Sequence, residues 1–287
     1  LQHKKYFFCA ATVQKEHPII MHYFYTIIGT LSACYLCLIL FALIFADKMI
    51  FPAPSATYSD TSFPLIRLPV DNVGDVYAVY LPNEQADYTL FYCHGNAEDL
   101  GSIYPLLQAF HKRGLSVFAF DYPGYGLSAG KPSESACIAA TNAAYVYLKT
   151  FHNITPDKVI VYGRSLGGGP AVELASREMV GGLILDGTFT STFRVVTHKK
   201  ILPWDVFNSI ARIHLVKSPL LVIHGEQDAT VPFKHGVQLY ANAGSNIKQN
   251  LWVENAGHNN LIEVAGDCYW EAIDTFRTQL PQAATAQ

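Results

Sequence analysis

Charge is what this chain has least of. Charged side chains make up only 15% of its 287 residues, with 20 Lys and Arg set against 23 Asp and Glu for a formal net charge of −3. No basic run occurs, so nothing in the composition would hold a nucleic acid or another polyanion. The motifs that announce a bound group are missing as well. There is no H-E-x-x-H for zinc, no P-loop for a nucleotide and no G-x-G-x-x-G for a dinucleotide, so neither metal nor cofactor is expected. The six cysteines, Cys9, Cys34, Cys37, Cys93, Cys137 and Cys268, fall without framework spacing. Cys34 and Cys37 form a C-x-x-C inside an apolar run with no further ligands nearby, and all six read as free thiols.

Hydrophobic residues, by contrast, make up 50% of the chain. Residues 24–45 carry no charge, and at about 1.5 Å rise per residue a helix of that length crosses a hydrocarbon core of about 30 Å. We read residues 24–46 as a transmembrane anchor preceded by an N-terminal tail over 1–23. A cleaved signal peptide has an apolar core of only about 7 to 15 residues followed by polar sequence, whereas this run continues. Leu31-Ser32-Ala33-Cys34 resembles a bacterial lipoprotein box, a reading opposed by the apolar stretch 35–46 behind it. Lys4, Lys5 and Lys15 precede the span, while Lys48 after it stands beside Asp47. That bias favours the N-terminus inside and the rest of the chain on the non-cytoplasmic side, unless the true start is Met21.

Residues 52–64 are rich in turn formers and small polar side chains, so 47–64 reads as a linker and the chemistry beyond it is expected not to need the anchor. A domain over 65–281 follows, with 282–287 as a frayed tail. Residues 76–81 form a strand candidate, and 88–93 is a continuous apolar strand of the kind buried on both faces of a parallel sheet. Helical spacing over 103–112, a strand at 116–121, a helix over 132–151 and further strands at 159–162, 182–186, 219–223 and 249–253 continue the alternation. A terminal helix is expected from about 266 to 280. Strand alternating with helix predicts an α/β fold with a mostly parallel central sheet flanked by helices. Between 187 and 217 periodicity weakens around Pro203-Trp204-Asp205, which suits a short lid rather than a separate cap domain.

The informative stretch is Gly163-Arg164-Ser165-Leu166-Gly167. It leaves an apolar strand and enters a helical pattern, as a serine nucleophile requires if a strained turn is to lift its hydroxyl clear of the sheet. Gly163 and Gly167 allow strand and helix to pack closely, and the Leu166 amide is a candidate oxyanion donor. A second donor is the amide of Asn96, in the His94-Gly95-Asn96 turn that ends the buried strand 88–93. Asp228 follows one buried strand and His258 follows the last. The order Ser165, Asp228, His258 is that of an α/β-hydrolase triad, in which the acid fixes the histidine tautomer and the histidine activates the serine. His94 and His224 are rival bases that do not follow the acid, and Asp186 is a rival acid at another strand end. Asp121-Tyr122-Pro123-Gly124-Tyr125-Gly126 reads as a structural turn cluster, with a place in the pocket as the alternative for Tyr125.

The segments His94-Gly95-Asn96-Ala97-Glu98, Asp121 to Gly126 and Gly257-His258-Asn259, together with the serine turn, resemble the α/β-hydrolase superfamily and within it the Bem46-like group. That group includes membrane-associated α/β-hydrolase domain proteins of the depalmitoylase type. The resemblance runs from about Asp47 to the terminal helix. It implies Ser165 as nucleophile, Asp228 as acid, His258 as base, and Asn96 and Leu166 as oxyanion amides. The depalmitoylases carry a cysteine-rich tail that this chain lacks, so depalmitoylation is an analogy only. The expected activity is a membrane-anchored serine hydrolase acting on a small or lipid-derived ester or thioester. The alternatives are an S33-type aminopeptidase, with Glu98 or Glu226 receiving the substrate amine, and an idle scaffold.

Overall fold

The computed structural model describes residues 17–281; Lys4, Lys5, Cys9, Lys15 and the 282–287 tail lie outside them. The chain divides into two compact units between Ala46 and Asp47. Helix α1, His17–Ile50, accounts for the described part of the first and runs into the second. Its stretch Ile20–Ile50 is long and apolar enough to cross a membrane. Leu31, Leu43 and Ile44 leave large areas uncovered, and no polar face interrupts them. The threonines do not break the apolar run, because Thr26 Oγ1 donates to the His22 carbonyl (2.8 Å) and Thr30 Oγ1 to the Thr26 carbonyl (2.9 Å).

From Asp47 onward the unit is built on an eight-stranded sheet: β1 Ile66–Val70, β2 Gly74–Leu81, β3 Thr89–Cys93, β4 Ser116–Phe120, β5 Val159–Arg164, β6 Gly182–Asp186, β7 Leu220–Gly225 and β8 Lys248–Val253. Their spatial order is β1-β2-β4-β3-β5-β6-β7-β8. β2 runs antiparallel to both neighbours, and the remaining pairs are parallel. Every residue of β3, β4, β6 and β7 is buried, as expected of strands covered on both faces.

Alternate residues along a strand serve opposite layers. Leu90 and Tyr92 share one core with Leu107 and Phe110 of α2 (Leu100–Lys112) and with Tyr269 and Phe276 of α8 (Asp267–Thr278). Phe91 faces the other way, against Tyr145 of α3 (Glu134–Phe151). Helix α4 (Gly168–Arg177) follows β5 on that face, where a methyl group on Gly163 would meet Ala171. Segment 187–217 holds α5 (Thr192–Thr197) and two 3-10 turns, with Asp205 accepting from Ser191 Oγ (2.6 Å) and Arg194 Nε (3.2 Å). Helices α6 (Lys234–Asn242) and α7 (Leu261–Ala265) complete the unit.

Two features differ from the sequence reading. Strand β1 has no counterpart there; it forms because Asn72, at φ +60°, turns the chain into a hairpin with β2. Residues 47–64, read as a linker, pack onto the domain. Phe51, Tyr58 and Phe63 are buried, Tyr58 Oη donates to Asp121 (2.5 Å), and the Thr57 amide donates to Asp99 (2.6 Å).

His235, at the start of α6, is 2% exposed. Its Nδ1 accepts from the Thr190 amide at 3.3 Å and faces Thr190 Oγ1 at 2.8 Å, while Nε2 has no partner. Burial, with cationic and histidine neighbours, lowers its pKa from 6.5 to about 4. Below pH 6.5 the unfolded chain therefore takes up a proton that the folded one refuses. Stability is unaffected above that pH and falls as the pH drops from about 6.5 towards about 4. His235→Asn keeps an acceptor near Thr190 but cannot titrate. The variant is expected to lose less stability than wild type between pH 7 and pH 5, by about 1–2 kcal/mol, or a few degrees in Tm. Thermal unfolding at the two pH values measures this, and an equal acid loss in both proteins would show that His235 is not the source.

Candidate active site

Strand order places the site. Because β3 lies between β4 and β5, the chain leaves β3 for one side of the sheet and returns to the other. Open α/β sheets form their ligand crevice at the carboxyl ends of the strands flanking such a switch point, and the turns carrying Asn96 and Ser165 emerge there, after β3 and β5.

Ser165 has φ +47°, left-handed backbone that a residue with a side chain adopts only at a cost. The glycines around it explain how the turn persists. A methyl group on Gly167 would overlap the Cys93 carbonyl, and one on Gly168 would overlap Thr188. Thr188 Oγ1 also donates to the Ser165 carbonyl at 2.7 Å, which clamps the strained residue from below. The Leu166 amide falls in the first turn of the following helix, where an N–H has no acceptor within its own helix.

The loop after β8 carries His258, whose Nε2 lies 2.9 Å from Ser165 Oγ and whose Nδ1 lies 2.7 Å from Asp228 Oδ2. Asp228 Oδ1 accepts from the amides of Thr230 (2.9 Å) and Val231 (2.7 Å). Burial pushes the Asp228 carboxyl up, but the His258 hydrogen bond and the Val231 amide outweigh it and hold the group below its ordinary range. An ionised carboxylate only accepts, so the His258 proton resides on Nδ1 and Nε2 is free to accept from the Ser165 hydroxyl. The loops are fastened together by the Glu226 amide on the Val253 carbonyl and the Gln227 amide on the Ala256 carbonyl, each at 3.0 Å.

The rivals are committed elsewhere. His94 is fully buried, with its pKa lowered by burial to about 4. Its Nδ1 donates to the Gly95 carbonyl (2.8 Å) and its Nε2 accepts from the Tyr122 amide (3.4 Å), so it shapes the turn before Asn96. His224 Nε2 donates to the Val231 carbonyl at 2.8 Å, behind Asp228. Asp186 accepts from Tyr162 Oη, and from Tyr269 Oη at 3.0 Å, in the core beneath the site. The structure brings Asp228 to His258, and Asp186 to the tyrosines. Tyr125 is buried and donates to Asn96 Oδ1 (2.7 Å), so it supports the Asn96 turn.

One ion pair was not anticipated. Glu98 Oε1 accepts from Arg164 Nε (3.0 Å) and Oε2 from the Gly95 amide (2.6 Å), tying the Asn96 turn to the strand end before Ser165. The only available signal was a charge of each sign beside the two glycine turns. Among the described residues, no cluster of three or more His, Cys, Asp or Glu could hold a metal ion.

A crevice at a topological switch point, with a serine lifted on a glycine-flanked turn after β5, defines the architecture of an α/β-hydrolase. A sequence model of the family described as serine aminopeptidase, S33, matches residues 84–203. Alpha/beta hydrolase domain-containing protein 17B of Xenopus tropicalis is 41% identical over 197 residues, 68% of this chain and 67% of its own. The human 17B protein is 40% identical over the same shares. Among solved structures, an esterase of Pyrococcus furiosus superposes with a TM-score of 0.65 at 20% identity, covering 80% of this chain and 98% of its own. Est1E of Butyrivibrio proteoclasticus, solved with ferulic acid bound, gives 0.63 at 16% identity over 75% and 100%; both neighbours speak to the fold alone. The chain belongs to the α/β-hydrolase family and is related within it to the domain-containing 17 proteins.

The packing at Gly167 generates a direct expectation. Gly167→Ala should destabilise the domain by about 3 kcal/mol or more, because the obstacle is rigid backbone of β3 rather than a movable side chain. Gly257→Ala, whose methyl group would lie 3.4 Å from the Asn260 side chain, should cost less than about 1 kcal/mol. Chemical denaturation of the two variants measures the contrast, and equal costs would mean that the elbow yields.

Proposed function

We propose that this chain is a membrane-anchored serine hydrolase that cleaves a carboxylic ester or thioester through an acyl-enzyme. The observation that carries the reading is the continuous line from Ser165 Oγ through His258 to Asp228, at 2.9 and 2.7 Å. Ser165 Oγ attacks the substrate carbonyl carbon while its proton passes to His258 Nε2, and Asp228 stabilises the imidazolium. The carbonyl π pair becomes an oxyanion facing the amides of Asn96 and Leu166. When the tetrahedral intermediate collapses, the bond to the alcohol or thiol breaks and His258 returns the proton to the leaving group. Water then repeats the sequence in reverse roles, releasing the acid and restoring Ser165. No cofactor enters these steps.

An aminopeptidase would need a free carboxylate beside the scissile bond for the substrate ammonium. Glu98 is already engaged by Arg164 and the Gly95 amide, and Glu226 is solvent-exposed, which favours the ester reading. The apolar helix α1 supports an acyl substrate met at a membrane, and the depalmitoylase resemblance suits a lipid-derived chain. A tethered domain meets membrane-borne substrate at raised effective concentration.

Ser165→Ala should abolish both fluorophosphonate labelling and ester hydrolysis in a folded protein. Asp228→Asn should lower kcat by about 10³–10⁴ through the wrong histidine tautomer, and Asp186→Asn should cost far less. Labelling retained without Ser165 would end the serine-hydrolase reading, and an unlabelled wild type would leave the scaffold alternative.

The lysine bias before the span supports a non-cytoplasmic domain. A reporter fused after Gln287 should then be cleaved by protease added to intact cells, and a protected reporter would reverse the topology.

A further inference from the structure

The last turn of α1 ends on Ile50, and like any helix end it leaves carbonyls without an acceptor's partner inside the helix. The Ile50 carbonyl receives its hydrogen bond from Asn96 Nδ2, at 2.5 Å. Asn96 Oδ1 accepts from Tyr125 Oη at 2.7 Å and from the Ala97 amide at 3.2 Å. The orientation of this side-chain amide is fixed on both sides, since a carbonyl can only accept and a backbone amide can only donate. Each polar atom of the Asn96 side chain is thus used, and none points at the serine.

The Asn96 backbone amide has no acceptor among the described residues, and it emerges beside the elbow, where the His94 carbonyl abuts Gly167. The turn that carries it is not self-supporting. Ala97 sits at φ +59° without being a glycine, a conformation that needs its surroundings to hold it. Glu98 holds the Gly95 side of the turn. The segment entering from α1 holds the rest: Phe51 is 4% exposed and meets Phe207 edge-on at 6.2 Å, Thr57 binds Asp99, and Tyr58 binds Asp121, which also takes the Leu100 amide at 2.8 Å. All of these residues lie in the compact unit that begins at Asp47.

We propose that residues 47–58 form a strap that is part of the oxyanion machinery, with Asn96 as the positioning residue that couples the Ile50 carbonyl to the amide facing the substrate. The inference rests on the serine-hydrolase reading above. It replaces the expectation of an inert linker, since chemistry then requires residues 50 and 51. Removing an oxyanion donor costs about 10²–10³ in kcat, and displacing one by about 1 Å costs about 10². Loosening the strap should therefore act on kcat and leave KM near its original value.

The test uses the full chain in detergent, a short-chain p-nitrophenyl ester, and active-site titration with a fluorophosphonate to count functional enzyme. Asn96→Asp keeps an acceptor for Tyr125 and Ala97 but offers no donor to Ile50, and Phe51→Ala loosens the strap without touching the turn. Each should lower kcat by about 10- to 100-fold with KM changed less than about threefold. The double variant should be little worse than the poorer single, because both act through one contact. Tyr125→Phe, which removes the opposite support, gives the same split if either of the others folds poorly. Wild-type kcat in Asn96→Asp or in Phe51→Ala, losses confined to KM, or losses that multiply in the double variant would overturn the proposal. A wild type that neither labels nor turns over would sink the hydrolase reading itself, whereas a labelled wild type beside unaffected variants sinks this inference alone.

Discussion

Everything at the site depends on the near-contact of the Ser165 turn with the carboxyl end of β3. With no side chain at position 167, helix α4 starts against the Cys93 and His94 carbonyls, and Ser165 is driven to φ +47°. That approach brings the two glycine turns side by side. The Glu98–Arg164 pair and the Thr188 hydroxyl hold the two turns from outside. His258 and Asp228 then have to reach a fixed point. They do so from separate loops pinned to each other by backbone bonds between Glu226 and Val253 and between Gln227 and Ala256.

Much of this is legible in sequence because the signals are local. A strand buried on both faces is largely apolar, so β3, β4, β5, β6 and β7 announce themselves, and polar residues stand out in the turns beyond the strand ends. Ser165, Asp228 and His258 are of that kind, and the structure brings them together in the expected order. Where two carboxylates end strands, sequence ranks them only by position; the tyrosine pair around Asp186 and the imidazole beside Asp228 supply the discriminating environments.

What sequence concealed are contacts between polar side chains and distant backbone. Residues 47–64 look like a spacer because Pro, Ser and Thr are turn formers, yet the Thr57 amide and hydroxyl donate to Asp99 and the Tyr58 phenol donates to Asp121. Asn96 drew notice for its backbone amide alone. Its side chain bonds to residues far off in the chain, a relation with no periodicity to read. Strand β1 escaped for a related reason: only alternate positions, Leu68 and Val70, are buried, and so short an edge strand shows almost no pattern.

The sheet order also bears on how the chain is made. β3 lies between β4 and β5, and β5 is translated only after α3. Until then a strand whose every residue is buried in the finished fold presents an unpaired edge, the template that promotes association between unfinished chains. The partner that closes that edge is β5, the strand that leads into Ser165. Closure of that edge and formation of the Ser165 turn are therefore one event in biosynthesis, and a chain stalled before β5 has neither.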